Sequence, residues 1–321
     1  MNHMGKIAFV FPGQGAQAVG MGRDVYDSDE QAKVLFDLAD QTLGYSLSEL
    51  IFNGPEDELK LTYHTQPALL TVSVALHSLL KETGIKPDYV AGHSLGEYSA
   101  LVAAGVLDFT DAIRSVRLRG EFMDEAVPAG LGAMAAVLGA ERNALQALCS
   151  EITAANSTVQ LANINCPGQI VVSGTKEGVE AVVERGKEAG AKRVIPLEVS
   201  GPFHSLLMKP AADKLGKVLE NVPLREASVQ VVANVTASPV TDSETIRQLL
   251  VEQVYSPVLW EDSVQTMIAA GVDTFVEIGS GTVLSGLIKK ISREVKCYSL
   301  NSIEAVNALK KELEAECLTG K

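Results

Sequence analysis

The segment Gly92-His93-Ser94-Leu95-Gly96 constrains the fold more than any other part of this sequence. It follows a short apolar run at residues 88–92 that is typical of a buried strand, and it precedes a helical stretch rich in small residues. A G-x-S-x-G segment in this position forces a sharp turn from which the serine hydroxyl projects into a cleft. The pattern predicts that Ser94 is the nucleophile of a covalent acyl-transfer enzyme. The alternative is a surface turn with an N-capping serine.

The rest of the chain alternates short apolar runs with longer helical patterns, which is typical of an α/β fold with a parallel sheet. Strands are predicted at residues 6–11, 88–92, 229–234 and 274–278, and helices at 31–43, 66–80, 110–126, 206–220 and 283–291. A different order, βαββαβ, occupies residues 128–199 and is that of a ferredoxin-like unit. We therefore expect a core of residues 1–127 and 200–321, interrupted by a subdomain of residues 128–199.

The composition excludes several classes of protein. With 27 Lys and Arg against 40 Asp and Glu, the 321-residue chain has a formal net charge of −13, and no basic stretch offers phosphate contacts to a nucleic acid. No apolar run of about 18 residues predicts a membrane span. The four cysteines are scattered without a CxxC pair, which fits reduced thiols rather than a metal site. We expect a cytoplasmic protein without metal or other cofactor.

A serine nucleophile needs a base, and the chain has only five histidines. His3 lies in a terminus that we expect to fray, and His64 in a polar loop. His77 is part-way along a predicted helix, where a satisfied or solvent-facing imidazole is the usual case. His93 is expected to support the turn, because adjacent side chains on such a turn diverge. His204 remains as the candidate base, and the N-terminus of the helix after it favours the neutral imidazole that accepts a proton.

The helix predicted over residues 110–126 carries one arginine on its apolar face. Arg119 shares that face with Phe122, whereas Arg114 and Arg117 are expected to point to solvent. A buried guanidinium needs an anion, because burying an unpaired charge costs several kcal/mol. The anion is either a core carboxylate or the carboxylate of a substrate, which arginine binds through two parallel hydrogen bonds. The residues alone leave both readings open.

A third pattern follows the first predicted strand. Gly13-Gln14-Gly15 and Ala18 spell G-x-G-x-x-A, which is formally a dinucleotide-binding fingerprint. The acidic residue expected at the end of a second strand about 20 residues later is missing. A dinucleotide-binding protein therefore stays an alternative, but a tight turn is favoured. Its backbone N–H groups would face the cleft and form half of an oxyanion hole.

Together these segments resemble, across almost the whole chain, the malonyl-CoA:acyl carrier protein transacylases of bacterial fatty acid synthesis. The resemblance is carried by FVFPGQGAQ (9–17), LTYHTQPALL (61–70), AGHSLGEYSALVAAGV (91–106), RLRGEFMDEAVPAG (117–130), NCPGQIVVSG (165–174), EVSGPFHSLLMKPAA (198–212), YSPVLW (255–260) and VEIGSGTVLSGLIKK (276–290). The family usually has serine at Ala16 and proline at Ser280. The resemblance implies an α/β-hydrolase-like core with a ferredoxin-like insert.

The resemblance also implies roles for individual residues. Ser94 would carry the acyl group, His204 would act as its base, and Arg119 would hold the free carboxylate of the malonyl group. The backbone N–H groups of Gln14 and Leu95 would form the oxyanion hole.

Two further roles rest on the resemblance alone. The main-chain carbonyl of Gln253 would orient the base, so that no triad aspartate is needed. Phe203 resembles the residue that selects malonyl groups in related acyltransferase domains.

The implied reaction is a ping-pong transfer from malonyl-CoA to Ser94 and then to the phosphopantetheine thiol of acyl carrier protein. Because the carrier protein is acidic and this chain is acidic overall, we expect docking on a local basic patch. The patch is drawn from Lys192, Arg193, Lys289 and Lys290. A serine esterase or thioesterase on the same core is the alternative, since the nucleophile and base fit both.

Overall fold

The chain folds into two β-sheets with helices packed around them, which confirms the predicted α/β class. The computed structural model describes residues 5–319, with side chains up to residue 312. His3 and the side chain of Cys317 lie outside this part of the chain. Within it, no helix is both long and apolar enough to cross a membrane.

The strands are β1 (Lys6–Phe11), β2 (Tyr89–Gly92), β3 (Gly132–Leu138), β4 (Val159–Cys166), β5 (Gln169–Thr175), β6 (Arg193–Pro196), β7 (Gln230–Val232), β8 (Pro239–Val240), β9 (Val272–Ile278) and β10 (Lys296–Leu300). The larger sheet has the order β10-β9-β1-β2-β7-β8, and only β7 and β8 pair antiparallel. The carboxyl ends of parallel strands share one edge of a sheet, so the loops after β1, β2 and β7 meet there.

The helices are α1 (Arg23–Ser28), α2 (Glu30–Leu43), α3 (Leu47–Asn53), α4 (Glu56–Leu59), α5 (Thr62–Lys81), α6 (Gly96–Ala103), α7 (Phe109–Glu125), α8 (Arg142–Ala154), α9 (Lys176–Arg185), α10 (Lys209–Leu219), α11 (Ser243–Gln253), α12 (Trp260–Ala269), α13 (Val283–Ile291) and α14 (Ile303–Thr319). Short 3₁₀ turns occupy Gly186–Ala189 and Leu206–Met208. Helix α5 is buried on all sides, as expected for an element surrounded by others, and it packs against α2, α6 and α7.

The smaller sheet has four antiparallel strands in the order β4-β5-β3-β6, all from the segment 132–196. Along the chain its elements follow the predicted βαββαβ order. One face of this sheet packs on α8 and α9 around Val137, Leu145 and Val172, which are fully buried. The other face carries Met134 and Val171 toward the larger sheet. The smaller sheet therefore has its own apolar core and also forms one wall of a cleft.

One predicted boundary is wrong for a local reason. Helix α5 begins at Thr62 rather than at residue 66, with Pro67 inside it. Proline cannot donate to the carbonyl four residues earlier, but the freed carbonyl of Tyr63 accepts from Arg117 Nη1 at 3.3 Å instead. His64 therefore lies in the first turn of a helix rather than in a polar loop. Arg117 is half-buried against this turn and does not point to solvent.

Candidate active site

The turn between β2 and α6 is tight because only glycine fits on either side of it. A Cβ at Gly92 would lie 1.9 Å from the Gly96 carbonyl, and a Cβ at Gly96 would lie 2.1 Å from the Phe11 carbonyl oxygen. Ser94, at the centre of the turn, has a φ of +51°, in the left-handed region that side chains rarely adopt. The strained turn holds the Ser94 hydroxyl in the cleft, as the G-x-S-x-G pattern predicts.

The Ser94 hydroxyl meets the imidazole of His204. Ser94 Oγ lies 2.7 Å from His204 Nε2, and His204 Nδ1 lies 2.9 Å from the Gln253 main-chain oxygen. A carbonyl only accepts, so Nδ1 carries the proton and Nε2 accepts from the hydroxyl. Burial, and after it the nearby Arg119 cation, lower the pKa of His204 to about 3. The imidazole is therefore neutral at pH 7, through burial and a nearby charge rather than through the helix terminus we expected.

Two asparagines, one just after β7 and one on β4 of the smaller sheet, hold the turn by hydrogen bonds. Asn234, just after β7, accepts from the Ser94 N–H at 2.8 Å and donates to the Gly92 carbonyl at 2.6 Å. Asn165 on β4 lies 2.8 Å from His93 Nε2, so His93 supports the turn as expected. Sequence reasoning missed Asn234, although a polar residue directly after a strand that neighbours β2 was an available signal.

Arg119 projects from α7 to the same point. It is 1% exposed, on the apolar face where it was predicted. Its Nη1 donates to Gln66 Oε1 at 2.8 Å, and its Nη2 donates to Ser94 Oγ at 3.1 Å and to Gln253 Oε1 at 2.9 Å. Among the described side chains, no carboxylate oxygen lies within the 4.0 Å of a salt bridge to Arg119. The direct ion pair with a core carboxylate is therefore absent from this part of the chain.

The buried charge of Arg119 favours the binding of an anion. Burial lowers the pKa of Arg119, since the charged form is costly in a low-dielectric site. Its Nε is buried without a hydrogen-bond partner among the described residues. A carboxylate brought into the cleft beside Ser94 would find a guanidinium that has no carboxylate in direct contact among the described side chains.

The loop after β1 lies against the turn. A Cβ at Gly13 would lie 2.2 Å from the His93 carbonyl oxygen. The N–H groups of Gln14 and Leu95 both border the cleft, and neither donates to an acceptor in the described chain. Residues 13–18 do not open a helix, because the next helix begins at Arg23. This loop therefore lacks the geometry of a dinucleotide fingerprint. It contributes one free donor, the Gln14 N–H, to the cleft that Ser94 also lines, and the turn after β2 contributes the other, the Leu95 N–H.

The cleft itself has a volume of about 260 Å³ and lies between the two sheets. The smaller sheet contributes Met134, Asn163 and Val171 to its wall. Phe203 lines the cleft next to His204 and is 6% exposed. Among the described side chains, no group of three His, Cys, Asp or Glu residues is placed to hold a metal ion.

The four basic residues of the predicted docking patch are all exposed. Lys290 Nζ lies 3.4 Å from Oε1 of Gln169, a residue that lines the cleft. Arg193 lies two strands from Gln169, because both pair with the same residue of β3. Lys192 precedes Arg193, and Lys289 lies beside Lys290 on α13. Arg193 and Lys290 therefore border the same end of the smaller sheet.

A buried polar network under the turn was not predicted. Glu97 Oε2 accepts from Gln253 Nε2 at 2.8 Å and from the Asn234 N–H at 3.2 Å. Burial raises the pKa of Glu97 to about 7. Sequence reasoning found the carbonyl of Gln253 but missed its side chain, together with Glu97 and Gln66. An acidic residue in the first turn of an otherwise small and apolar helix was the one available signal.

A serine on a strained elbow, a neutral imidazole and free backbone donors together suit covalent transfer of an acyl group. Comparison with known families agrees with this class of enzyme. The chain matches the family model described as "Acyl transferase domain" over residues 8–319 and belongs to that family.

The chain is also similar over nearly its whole length to individual members of the family. It is 56% identical, over 98% of its length and 99% of the relative, to the malonyl CoA-acyl carrier protein transacylase of Bacillus subtilis strain 168. An acyl carrier protein S-malonyltransferase from Vibrio cholerae superposes with a TM-score of 0.92 at 45% identity, over 95% of this chain and 99% of that one. A malonyl-transacylase in complex with its type II PKS acyl-carrier protein gives 0.93 at 44% identity, over 96% and 99%.

Proposed function

We propose that this chain transfers the malonyl group from malonyl-CoA to the phosphopantetheine thiol of acyl carrier protein, through a malonyl-serine intermediate, and so supplies fatty acid synthesis. The observation that carries the proposal is the 3.1 Å contact between Arg119 Nη2 and Ser94 Oγ. It places a cation that binds carboxylates beside the oxygen that would carry the acyl group. The names of relatives that span nearly the whole chain support the same reaction.

In the first half-reaction His204 acts as the base. Nε2 takes the hydroxyl proton while Ser94 Oγ attacks the thioester carbonyl, and the N–H groups of Gln14 and Leu95 hold the oxyanion. The carbon–sulfur bond then breaks, and CoA leaves as a thiol with the proton from His204. The Gln253 carbonyl keeps the imidazole in the required tautomer at 2.9 Å.

The second half-reaction repeats these steps with a different thiol. The phosphopantetheine thiol gives its proton to His204 and attacks the malonyl-serine ester. The ester bond breaks, Ser94 recovers its proton, and malonyl-carrier protein leaves. No metal or other cofactor enters either step.

Arg119 would make the site selective for an acyl group that carries a carboxylate. Two charge-assisted hydrogen bonds at about 1.5–3 kcal/mol each would favour malonyl over acetyl by roughly 10² to 10⁴. Phe203 would limit the space beside the base and so contribute to the choice of acyl group. The carboxylate would also offset the Arg119 charge that lowers the pKa of His204, which strengthens the base when the correct substrate is bound.

We also propose a division of the chain into two structural units. We assign residues 1–127 and 200–321 to an α/β-hydrolase-like catalytic core and residues 128–199 to a ferredoxin-like insert. The separate apolar core of the smaller sheet and its βαββαβ order support this division. The carrier protein would dock on the basic patch of Lys192, Arg193, Lys289 and Lys290, and the enzyme would work in the cytoplasm.

One experiment separates the transferase from a hydrolase on the same core. The protein is incubated with malonyl-CoA, with and without phosphopantetheinylated acyl carrier protein, and both proteins are followed by intact mass. We expect a malonyl-enzyme that persists without acceptor and passes its acyl group to the carrier protein. Rapid release of free malonate without any thiol acceptor would instead identify a thioesterase.

A further inference from the structure

The guanidinium of Arg119 is connected to a buried carboxylate through one amide. Glu97 Oε2 accepts from Gln253 Nε2 at 2.8 Å, and at the other end of the same amide Gln253 Oε1 accepts from Arg119 Nη2 at 2.9 Å. Each end of the amide can serve only one of these partners, because Nε2 donates and Oε1 accepts. The order carboxylate, amide, guanidinium is therefore set by hydrogen-bond chemistry.

Both charged ends of this chain are buried. Glu97 is 2% exposed and Arg119 is 1% exposed. A buried cation without any counter-charge is costly, and a buried carboxylate is equally so. The two charges attract each other across the amide, since at a given distance the Coulomb energy is larger in a low-dielectric interior than in water. The negative charge of Glu97 thus offsets the positive charge of Arg119 through the Gln253 amide, without a direct salt bridge.

The indirect arrangement has a consequence for substrate binding. A carboxylate in direct contact with Arg119 would occupy its donors and compete with an incoming carboxylate. Gln66 and Gln253, both neutral amides, hold the positions beside Nη1 and Nη2 where such a carboxylate would lie. The cation is therefore stabilised but not neutralised at its binding edge.

We infer that Glu97 is the counter-charge of Arg119, held one amide away by the Gln253 side chain, and that this separation sets how strongly the site prefers an acyl group with a carboxylate. Glu97 and the Gln253 amide are positioning residues, because neither touches the reacting atoms as a donor or acceptor of the proton. The inference rests on the proposed role of Arg119 as the ligand of the malonyl carboxylate.

The test measures selectivity without chemistry. In a Ser94→Ala background, which cannot be acylated, the Kd of malonyl-CoA and of acetyl-CoA is measured by calorimetry at pH 8. At that pH a carboxyl with a pKa of about 7 is ionised. The ratio of the acetyl-CoA Kd to the malonyl-CoA Kd isolates the contribution of the substrate carboxylate, because the CoA part is common to both.

Three variants change the charge at matched positions. Glu97→Gln keeps the side-chain shape and an oxygen acceptor but removes the counter-charge, so the ratio should rise about three- to tenfold. Gln66→Glu places a carboxylate directly on Nη1, so the ratio should fall at least about tenfold. The double variant has the net charge of the parent protein with the carboxylate moved onto the guanidinium. Its ratio should fall as it does for Gln66→Glu alone.

A purely structural role for Glu97 would give different results. Glu97→Gln would then leave the ratio unchanged, or weaken both ligands together, and either outcome overturns the inference. A double variant with the ratio of the parent would also overturn it, because net charge and not separation would then decide. If Gln66→Glu does not fold, the Glu97→Gln ratio decides alone.

Arg119→Ala in the same background keeps this inference distinct from the proposed function. If Arg119→Ala retains the preference for malonyl-CoA, the proposed role of Arg119 fails, and the inference fails with it. If Arg119→Ala abolishes the preference while Glu97→Gln does not change it, only the inference fails.

Discussion

The two sheets of this molecule bury different kinds of side chain. Beside the carboxyl edge of the larger sheet lie three ionisable groups, Glu97, Arg119 and His204, none more than 4% exposed. The buried cluster between the smaller sheet and its helices is apolar, with Val137 and Val172 at its centre. Buried polar groups are stable only when each has a partner. The larger sheet therefore carries the reactive groups, and the smaller sheet supplies a stable wall.

Backbone strain follows the same division. Ser94 and His204 have φ values of +51° and +55°, a conformation that costs about 1–3 kcal/mol for such residues. In the smaller unit Asn156 has a φ of +80°, which asparagine tolerates because its side chain can bond locally. Ala237, between β7 and β8, also has a φ of +52°. Among the described residues the strained positions other than Asn156 thus lie in the larger unit, and two of them make the 2.7 Å contact that matters for chemistry. Substitutions at the reactive groups of the larger sheet should accordingly lower activity, and substitutions in the core of the smaller sheet should lower stability.

The largest expected effect is the loss of the covalent intermediate. Ser94→Ala should abolish the adduct of about 86 Da that malonyl-CoA leaves on the enzyme, because it removes the hydroxyl that lies 2.7 Å from His204 Nε2. Intact-mass spectrometry measures the adduct directly. An adduct that survives the substitution would place the nucleophile elsewhere.

Arg119→Ala should lower malonyl transfer by roughly 10² to 10⁴ while acetyl transfer persists or improves, since only malonyl presents a carboxylate. Initial rates with the two CoA donors give the comparison. Equal losses with both donors would mean that the arginine stabilises the fold and does not hold the substrate.

A variant in the smaller sheet should have the opposite signature. Leu145→Ala removes a fully buried side chain from its core and should lower the free energy of unfolding by about 2–5 kcal/mol. The ratio of malonyl to acetyl transfer should stay within about twofold, because no group in this core touches Ser94, His204 or Arg119. Urea unfolding measures the loss of stability, and initial rates with malonyl-CoA and acetyl-CoA on the same sample measure the ratio of transfer. A changed ratio would show that the smaller sheet also affects the choice of acyl group.

The reactive groups were predictable because each carries a local signal. Glycines flank Ser94, few histidines compete with His204, and the helical period places Arg119 on an apolar face. Their contacts were not predictable from pattern alone. Ser94 and His204 are 110 positions apart, and they were paired by eliminating the other histidines and by the resemblance to a family.

The amides that organise the site had no comparable signal. Gln66, Asn234 and the Gln253 side chain are uncharged, and each bonds to at least one partner that lies between 53 and 159 positions away. A single amide in a helix or after a strand does not indicate its partner. Strands β8 and β10 were missed for another reason. The first has two residues, and the second is a largely polar strand at the edge of the sheet.

A buried histidine away from the cleft makes the stability of the larger sheet depend on pH. His77 packs edge-on against Phe9 and Phe11, and burial lowers its pKa to about 4 from 6.5. The folded state therefore binds this proton less readily than the unfolded chain. The stabilisation is complete above pH 6.5 and is lost as the pH falls from 6.5 to 4, by about 3 kcal/mol at most.

His77→Leu should flatten the dependence of the free energy of unfolding on pH in that window. Acylation by malonyl-CoA at pH 7 should be unchanged within about twofold, because His77 does not border the cleft. Urea unfolding at several pH values measures the effect. If the slope is unchanged, another group, such as His204, dominates the loss of stability in acid.

The smallest expected effect concerns the exposed basic residues at one end of the smaller sheet. Arg193 lies on the smaller sheet, and Lys290, on α13, reaches toward it through Gln169. Arg193→Glu with Lys290→Glu should lower transfer to acyl carrier protein about three- to tenfold at low salt, and less at high salt, because exposed charges act over a Debye length. Acylation by malonyl-CoA should not change. Lys310→Glu with Lys311→Glu, on α14, changes the net charge equally and serves as the control. An equal loss in the control would assign the effect to overall charge, whereas a loss confined to the first pair would show that the wall formed by the smaller sheet also receives the carrier protein.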